Sequence, residues 1–175
     1  MKKSMPKPKL AIPKAQDFNQ IVTLDLKEIN GKYILWMICS FTRFMLGKVI
    51  PNKKADTILE ALMTKWNYTV GFPSEGYWAD NGGEFANVKM EELCSKLNKR
   101  IKFGPSYSPW SNGLNERNHA SADITIKKLL DEENGRIKLN DDIVNASAWT
   151  HNSNINKLGY LPLKLAAGIQ LLFLD

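Results

Sequence analysis

Two cysteines, Cys39 and Cys94, and two histidines, His119 and His151, are all that this 175-residue chain offers a soft metal, and no Cys-x-x-Cys pair is among them. Neither a structural zinc site nor a disulfide framework is thereby indicated, and a reducing compartment is the default expectation. Long apolar runs are missing too. The longest, Tyr33 to Ser40 with its flanks, falls well short of the roughly twenty residues a membrane span needs, and no signal-peptide core follows the lysine-rich start. The expectation is a soluble, intracellular protein with no membrane partner. Acids are absent from the first fourteen residues, where Lys2, Lys3, Lys7, Lys9 and Lys14 supply five of the six excess positive charges. What remains is a near-neutral body, so net charge points to a basic arm rather than to a uniformly basic nucleic-acid binder.

With 43% apolar residues the chain suffices for one well-cored domain. Residues 1–16 hold five Lys and three Pro without hydrophobic periodicity and read as an extended, disordered arm. The domain is expected over 17–168, with 169–175 as a truncated tail. Strands are predicted at 21–28, 32–39 and 43–50, the first two joined by a tight turn at Asn30-Gly31. Ala55, Ile58, Leu59, Leu62, Met63 and Trp66 recur at helical spacing and predict a helix over 54–68. A short strand at 76–79, a helix near 88–97 and a strand at 100–103 follow. Gly104 to Pro109 reads as loop, then come helices over about 111–131, 141–151 and from 161–162 onward. The order β-β-β-α-β-α-β-α-α predicts an α/β fold, a five-stranded mixed sheet flanked by helices on both faces.

Three acids stand out against this frame: Asp25 inside the apolar run Ile21-Val-Thr-Leu-Asp-Leu, Asp80 in Trp78-Ala-Asp-Asn-Gly-Gly, and Glu116 in Ser111-Asn-Gly-Leu-Asn-Glu-Arg. A carboxylate within a hydrophobic strand is costly unless its charge is compensated, and a bound divalent cation compensates it while also serving chemistry. Each acid also has an ordinary reading. Thr23, Asp25 and Lys27 share one strand face and could all meet solvent. Asp80-Asn81-Gly82-Gly83 has the composition of a simple turn. Glu116 lies early in its helix, where the dipole alone favours an acid. Helical geometry puts Glu116, Ala120, Asp123 and Lys127 on one stripe beside a buried face of Ala122, Ile126, Leu129 and Leu130.

In Phe18-Asn19, Leu24-Asp25-Leu26-Lys27-Glu28, Phe41-Thr-Arg-Phe44, Asp80-Asn-Gly-Gly-Glu-Phe85 and Tyr107-Ser-Pro-Trp-Ser-Asn-Gly-Leu-Asn-Glu-Arg117, the chain resembles the catalytic core of retroviral and retrotransposon integrases. The likeness is nearest to gypsy-like long-terminal-repeat elements and runs from about residue 10 to 168. It implies a ribonuclease-H-like fold in which Asp25, Asp80 and Glu116 are the catalytic, metal-holding triad for two Mg²⁺ or Mn²⁺ ions. One ion would activate a water or a DNA 3′-hydroxyl; the other would stabilise the leaving 3′-oxygen. The implied activity is DNA 3′-end processing and strand transfer, acting on double-stranded DNA, both element end and target, in a nuclear setting.

By the same likeness the loop from Gly104 to Gly113 approaches the DNA end, with Tyr107, Trp110, Ser111 and Asn112 as contacts. Asn81 orients a nucleotide or makes the turn, and Arg117, Lys127 and Lys128 contact phosphate or are simply solvated. Trp110 alternatively packs beneath its loop. Ala120 and Asp123 depart from the pattern, standing where relatives often place basic residues. The family's zinc domain and basic domain are not in this sequence. The resemblance also implies a homodimer formed through 54–68 and 141–151. Two other functions compete: a decayed or domesticated DNA-binding module, and a cut-and-paste transposase of the same fold.

Overall fold

Strands and helices form where periodicity predicts them, and their packing decides which face each acid occupies. The computed structural model describes residues 15–79, 82–104, 109–132, 138–155 and 159–168, with the helical backbone alone described over 109–120. Strands β1 (Ile21–Ile29), β2 (Lys32–Cys39) and β3 (Met45–Ile50) form an antiparallel meander. Asn30 (φ 51°) and Gly31 (φ 74°) make its first turn. Two consecutive positive φ values match the right-handed twist of the flanking strands, which is why Asn-Gly is favoured there. Strands β4 (Gly76–Ala79) and β5 (Arg100–Phe103) add in parallel beyond β1, and the sheet order is β3-β2-β1-β4-β5.

Helix α1 (Ala55–Leu62) is shorter than the predicted 54–68 segment, because its last turn widens into a π-helical stretch at Met63–Asn67. The reason is tertiary. Trp66 and Asn67 are neighbours in sequence and both buried. The Trp66 indole donates to Asn19 Oδ1 at 3.0 Å, while Asn67 accepts from the Tyr77 hydroxyl at 2.9 Å. Tyr68 N–H reaches back to the Met63 carbonyl, a π-type bond at 2.9 Å that gives both side chains their places. The strand predicted from Arg43 begins instead at Met45. Arg43 adopts φ 68° and belongs to the β2–β3 turn.

Helices α2 (Val88–Lys96), α3 (Pro109–Glu132), α4 (Asp141–Asn152) and α5 (Pro162–Ala167) complete the fold. Asn87 and Asn140 cap α2 and α4, accepting from the N–H groups of Met90 at 3.1 Å and Ile143 at 3.0 Å. Two cores form. On one sheet face Val22, Leu24, Leu35 and Met37 pack against Ile58, Leu62, Trp66, Phe85 and Met90. On the other, Ile34, Trp36, Ile38 and Met45 pack with Ala122 and Ile126 of α3 and with Ile143, Val144 and Ala148 of α4. Of the stripe of α3 that spacing predicted, Ala122 and Ile126 are fully buried, and Leu129 and Leu130 pack partly buried against the same cluster.

Candidate metal centre

Asp25 lies on central strand β1, opposite Trp36 in the β1–β2 ladder, and is half-buried. Directly paired residues project to the same side of an antiparallel sheet, so Asp25 shares the α3–α4 face with the fully buried Trp36. Its strand neighbours on that face are both engaged. Thr23 is buried with its Oγ1 3.0 Å from Ser40 Oγ, and Lys27 pairs with Asp123 of α3. The reading of this face as solvated is therefore corrected in part: Thr23 is buried, while Asp25 and Lys27 stay partly exposed on the side where α3 and α4 pack.

Helix α3 is anchored where its side chains become described. The Ala122 carbonyl accepts from Ser147 Oγ of α4 at 2.8 Å. Ser121 Oγ is 3.2 Å from His151 Nδ1, and His151 Nε2 is 3.0 Å from the Arg43 carbonyl. Burial pushes the His151 imidazole below its ordinary range, against the opposite pull of that carbonyl, so the neutral ring donates through Nε2 and accepts from Ser121. Beyond α3, the Leu139 carbonyl accepts from Lys32 Nζ at 2.9 Å. Arg43 lies at the end of the sheet where β1 starts, and Lys32 lies where β1 ends. Helix α3 thus runs in the same sense as β1 along its face. At the start of α4, burial alone would raise the Asp141 carboxyl. Its bonds to Lys48 Nζ at 2.5 Å and to Val49 N–H at 2.9 Å, with the charges of Lys48 and Lys65, hold it below the usual range.

The remaining site residues divide by position. Asp80, Asn81 and Tyr107 lie outside the described residues, Asp80 one peptide bond beyond the end of β4. Trp110, Ser111, Asn112, Glu116 and Arg117 fall in the helical backbone of α3. The loop expected to extend to Gly113 therefore ends earlier, since α3 begins at Pro109. A proline in the first helical turn sacrifices no hydrogen bond, because the first N–H groups of a helix have no internal partner. Lys127 and Lys128 are exposed on α3. The Lys27–Asp123 pair is the contact that residue-by-residue reading missed, although Lys27 shares the face of Asp25 and Asp123 the stripe of Glu116.

Among the described residues no group of three or more His, Cys, Asp or Glu is placed to hold a metal ion. The donor chemistry nonetheless fits a hard divalent cation. Asp25 offers carboxylate oxygens on a partly screened sheet face, and both cysteines are buried elsewhere. No described helix is long and apolar enough to cross a membrane.

No family model matches the chain. Over 130 residues it is 28% identical to the Gag-Pro-Pol polyprotein of Mason-Pfizer monkey virus, covering 71% of the chain and 7% of that polyprotein. Over 107 residues it is 24% identical to the retrovirus-related Pol polyprotein from transposon 412 of Drosophila melanogaster, covering 61% of the chain and 9% of the relative. The chain thus spans less than a tenth of either. In structure it is similar to the HTLV-2 integrase catalytic core domain in complex with magnesium, with a TM-score of 0.70 at 18% identity, covering 85% of this chain and 96% of that one. The chain therefore has the ribonuclease-H-like fold of the retroviral integrase catalytic core, and its sequence is similar to retroviral and retrotransposon Pol polyproteins.

Proposed function

We propose that this chain is an integrase catalytic core, a polynucleotidyl transferase that processes DNA 3′-ends and joins them to a target duplex. Asp25, Asp80 and Glu116 would hold two Mg²⁺ or Mn²⁺ ions. The observation that carries the reading is the seating of α3 on the Asp25 face of β1. Glu116 precedes Asp123 by two helical turns, nearly in line with it around the helix, and Asp123 is fixed to Lys27, two residues from Asp25. About 10.5 Å of helix rise runs back along a strand on which Asp25 and Lys27 are about 6.8 Å apart. The parallel register of β4 with β1 includes the pair Thr23–Trp78; Asp25 is two residues past that pair in β1, and Asp80 is two residues past it in the sequence.

When bound, the cations supply charge neutralisation at the scissile phosphate and favour ionisation of the attacking oxygen. The protein's own part is to present carboxylate oxygens from rigid elements. Until charge is neutralised the three acids repel one another, so cation binding and site assembly are coupled. Asn81, Tyr107, Trp110, Ser111, Asn112, Arg117 and Lys127 would contact DNA around this centre. The proposed working form is at least a homodimer, formed through α1 and α4; the HTLV-2 core is described in trimeric and dimeric forms. A gypsy-like origin is part of the same proposal, supported by the transposon relative.

Joining of a branched DNA substrate by the full chain in Mn²⁺ tests the proposal. Activity in the wild type that disappears in Asp25→Asn supports it. Activity that survives Asp25→Asn rules out the triad, and an inert wild type favours the non-catalytic DNA-binding module.

A further inference from the structure

The Lys27–Asp123 pair joins the strand that carries Asp25 to the helix that carries Glu116, and it is the only ion pair among the described residues to do so. It is also the most enclosed. The Asp123 side chain is 17% exposed and that of Lys27 37%. Asp123 Oδ2 takes the hydrogen bond from Lys27 Nζ, and Oδ1 is buried with no hydrogen-bond partner among the described residues. A partly buried pair of this kind contributes little net stability, because desolvation offsets the attraction, but separating its partners leaves an uncompensated charge and is costly. The neighbouring contacts of α3 with the sheet, through Ala122 and Ile126, are apolar. A one-residue slip would carry Asp123 about 100° around the helix axis and strand both charges.

We propose that Lys27 and Asp123 are a positioning pair that fixes the register of the helix carrying Glu116 along the strand carrying Asp25 and thereby the affinity of the site for a divalent cation. The inference rests on the proposed metal centre. It makes a prediction opposite in sign to simple electrostatics. Lys27 is a positive charge close to a cation site, so if charge alone mattered, Lys27→Met would tighten cation binding. If position matters, the same change weakens it.

Titration of Mn²⁺ into the full chain, with free Mn²⁺ read by electron paramagnetic resonance, separates the two. Lys27→Met is expected to weaken binding by roughly ten- to a hundredfold, the usual cost of removing a group that orients a metal ligand. Lys27→Arg, which keeps the ion pair, should stay within about threefold of wild type. The double variant Lys27→Met with Asp123→Leu removes both charges, leaves local net charge unchanged and fills the space with apolar atoms. It should fold, as metal-free melting will show, and still bind Mn²⁺ more weakly. If Lys27→Met, alone or combined with Asp123→Leu, binds Mn²⁺ as tightly as wild type or more tightly, the inference is overturned. Asp25→Asn is the control for the underlying reading. If it leaves Mn²⁺ binding intact, the metal centre itself is misplaced. If it abolishes binding while the double variant matches wild type, the centre stands and the positioning role falls.

Discussion

Asp25 stands directly across the β1–β2 ladder from Trp36, whose side chain is fully buried beneath α3 and α4. An acid is thereby held at the margin of an apolar core, on the face where the helix bearing Glu116 lies. A cation that binds there binds the folded chain only, and it stabilises the fold by about 2.7 kcal/mol at a hundred times its dissociation constant. Millimolar Mn²⁺ should therefore raise the melting temperature of the wild type. The shift should vanish in the double variant Asp25→Asn with Asp80→Asn; a shift that survives it speaks against this site.

Close packing of α4 on the sheet depends on Gly47. A Cβ at that position would sit 2.5 Å from atoms of both Trp36 and Val144. Neither neighbour has room to retreat, since both are fully buried. Gly47→Ala should destabilise the fold by about 1–3 kcal/mol, the range for forcing extra atoms into a packed core. Urea denaturation will show this as a lower midpoint at unchanged slope, and an unchanged midpoint would mean that α4 does not pack as described.

Acid should loosen α3 through His151. Burial holds its folded-state pKa below the ordinary value of 6.5, so folding favours the neutral ring. Stability from this group is fully present above the unfolded-state pKa and is lost as pH falls from there through the folded-state value. Melting temperature should decline between pH 7 and 5, and His151→Gln should flatten that decline. Asp141, also depressed in the fold, acts in a separate range below its ordinary 3.8. Equal slopes in wild type and variant between pH 7 and 5 would exclude His151 as the cause.

The lysine-rich start gives a prediction about DNA. Residues 1–14 lie outside the described residues and carry five of the six excess positive charges. Deleting them should weaken duplex binding at low salt and flatten the log-log salt dependence by several units, close to one for each phosphate that the segment neutralises. The same affinity and slope in the truncated chain would make the segment a linker and move the DNA footprint to the helix around Glu116.

Local pattern made the sheet legible. Period-two alternation in β1, the Asn30-Gly31 turn and the apolar spacing of α1 each carry their structure within a few residues. Three features escaped, two of them because their causes are distant in sequence and one because its local composition misleads. The π-helical turn at Met63–Asn67 answers to Tyr77 and Asn19, which no helical periodicity records. The start of α3 at Pro109 is hidden by glycine, proline and serine that read as loop. The Lys27–Asp123 pair spans 96 residues, and each partner alone looks like an ordinary surface charge. At the candidate site the residue types were legible in the motifs; what structure adds is that Asp25 and α3 share one covered face.

The most direct test is Glu116→Gln in the branched-DNA joining reaction, in Mn²⁺, with folding checked by melting. The change removes the charge of the proposed third ligand at nearly constant shape. The triad assignment requires activity to fall at least about a hundredfold, equivalent to about 2.7 kcal/mol of transition-state stabilisation, with the metal-free melting temperature essentially unchanged. An active wild type whose Glu116→Gln variant joins DNA at a comparable rate would contradict it.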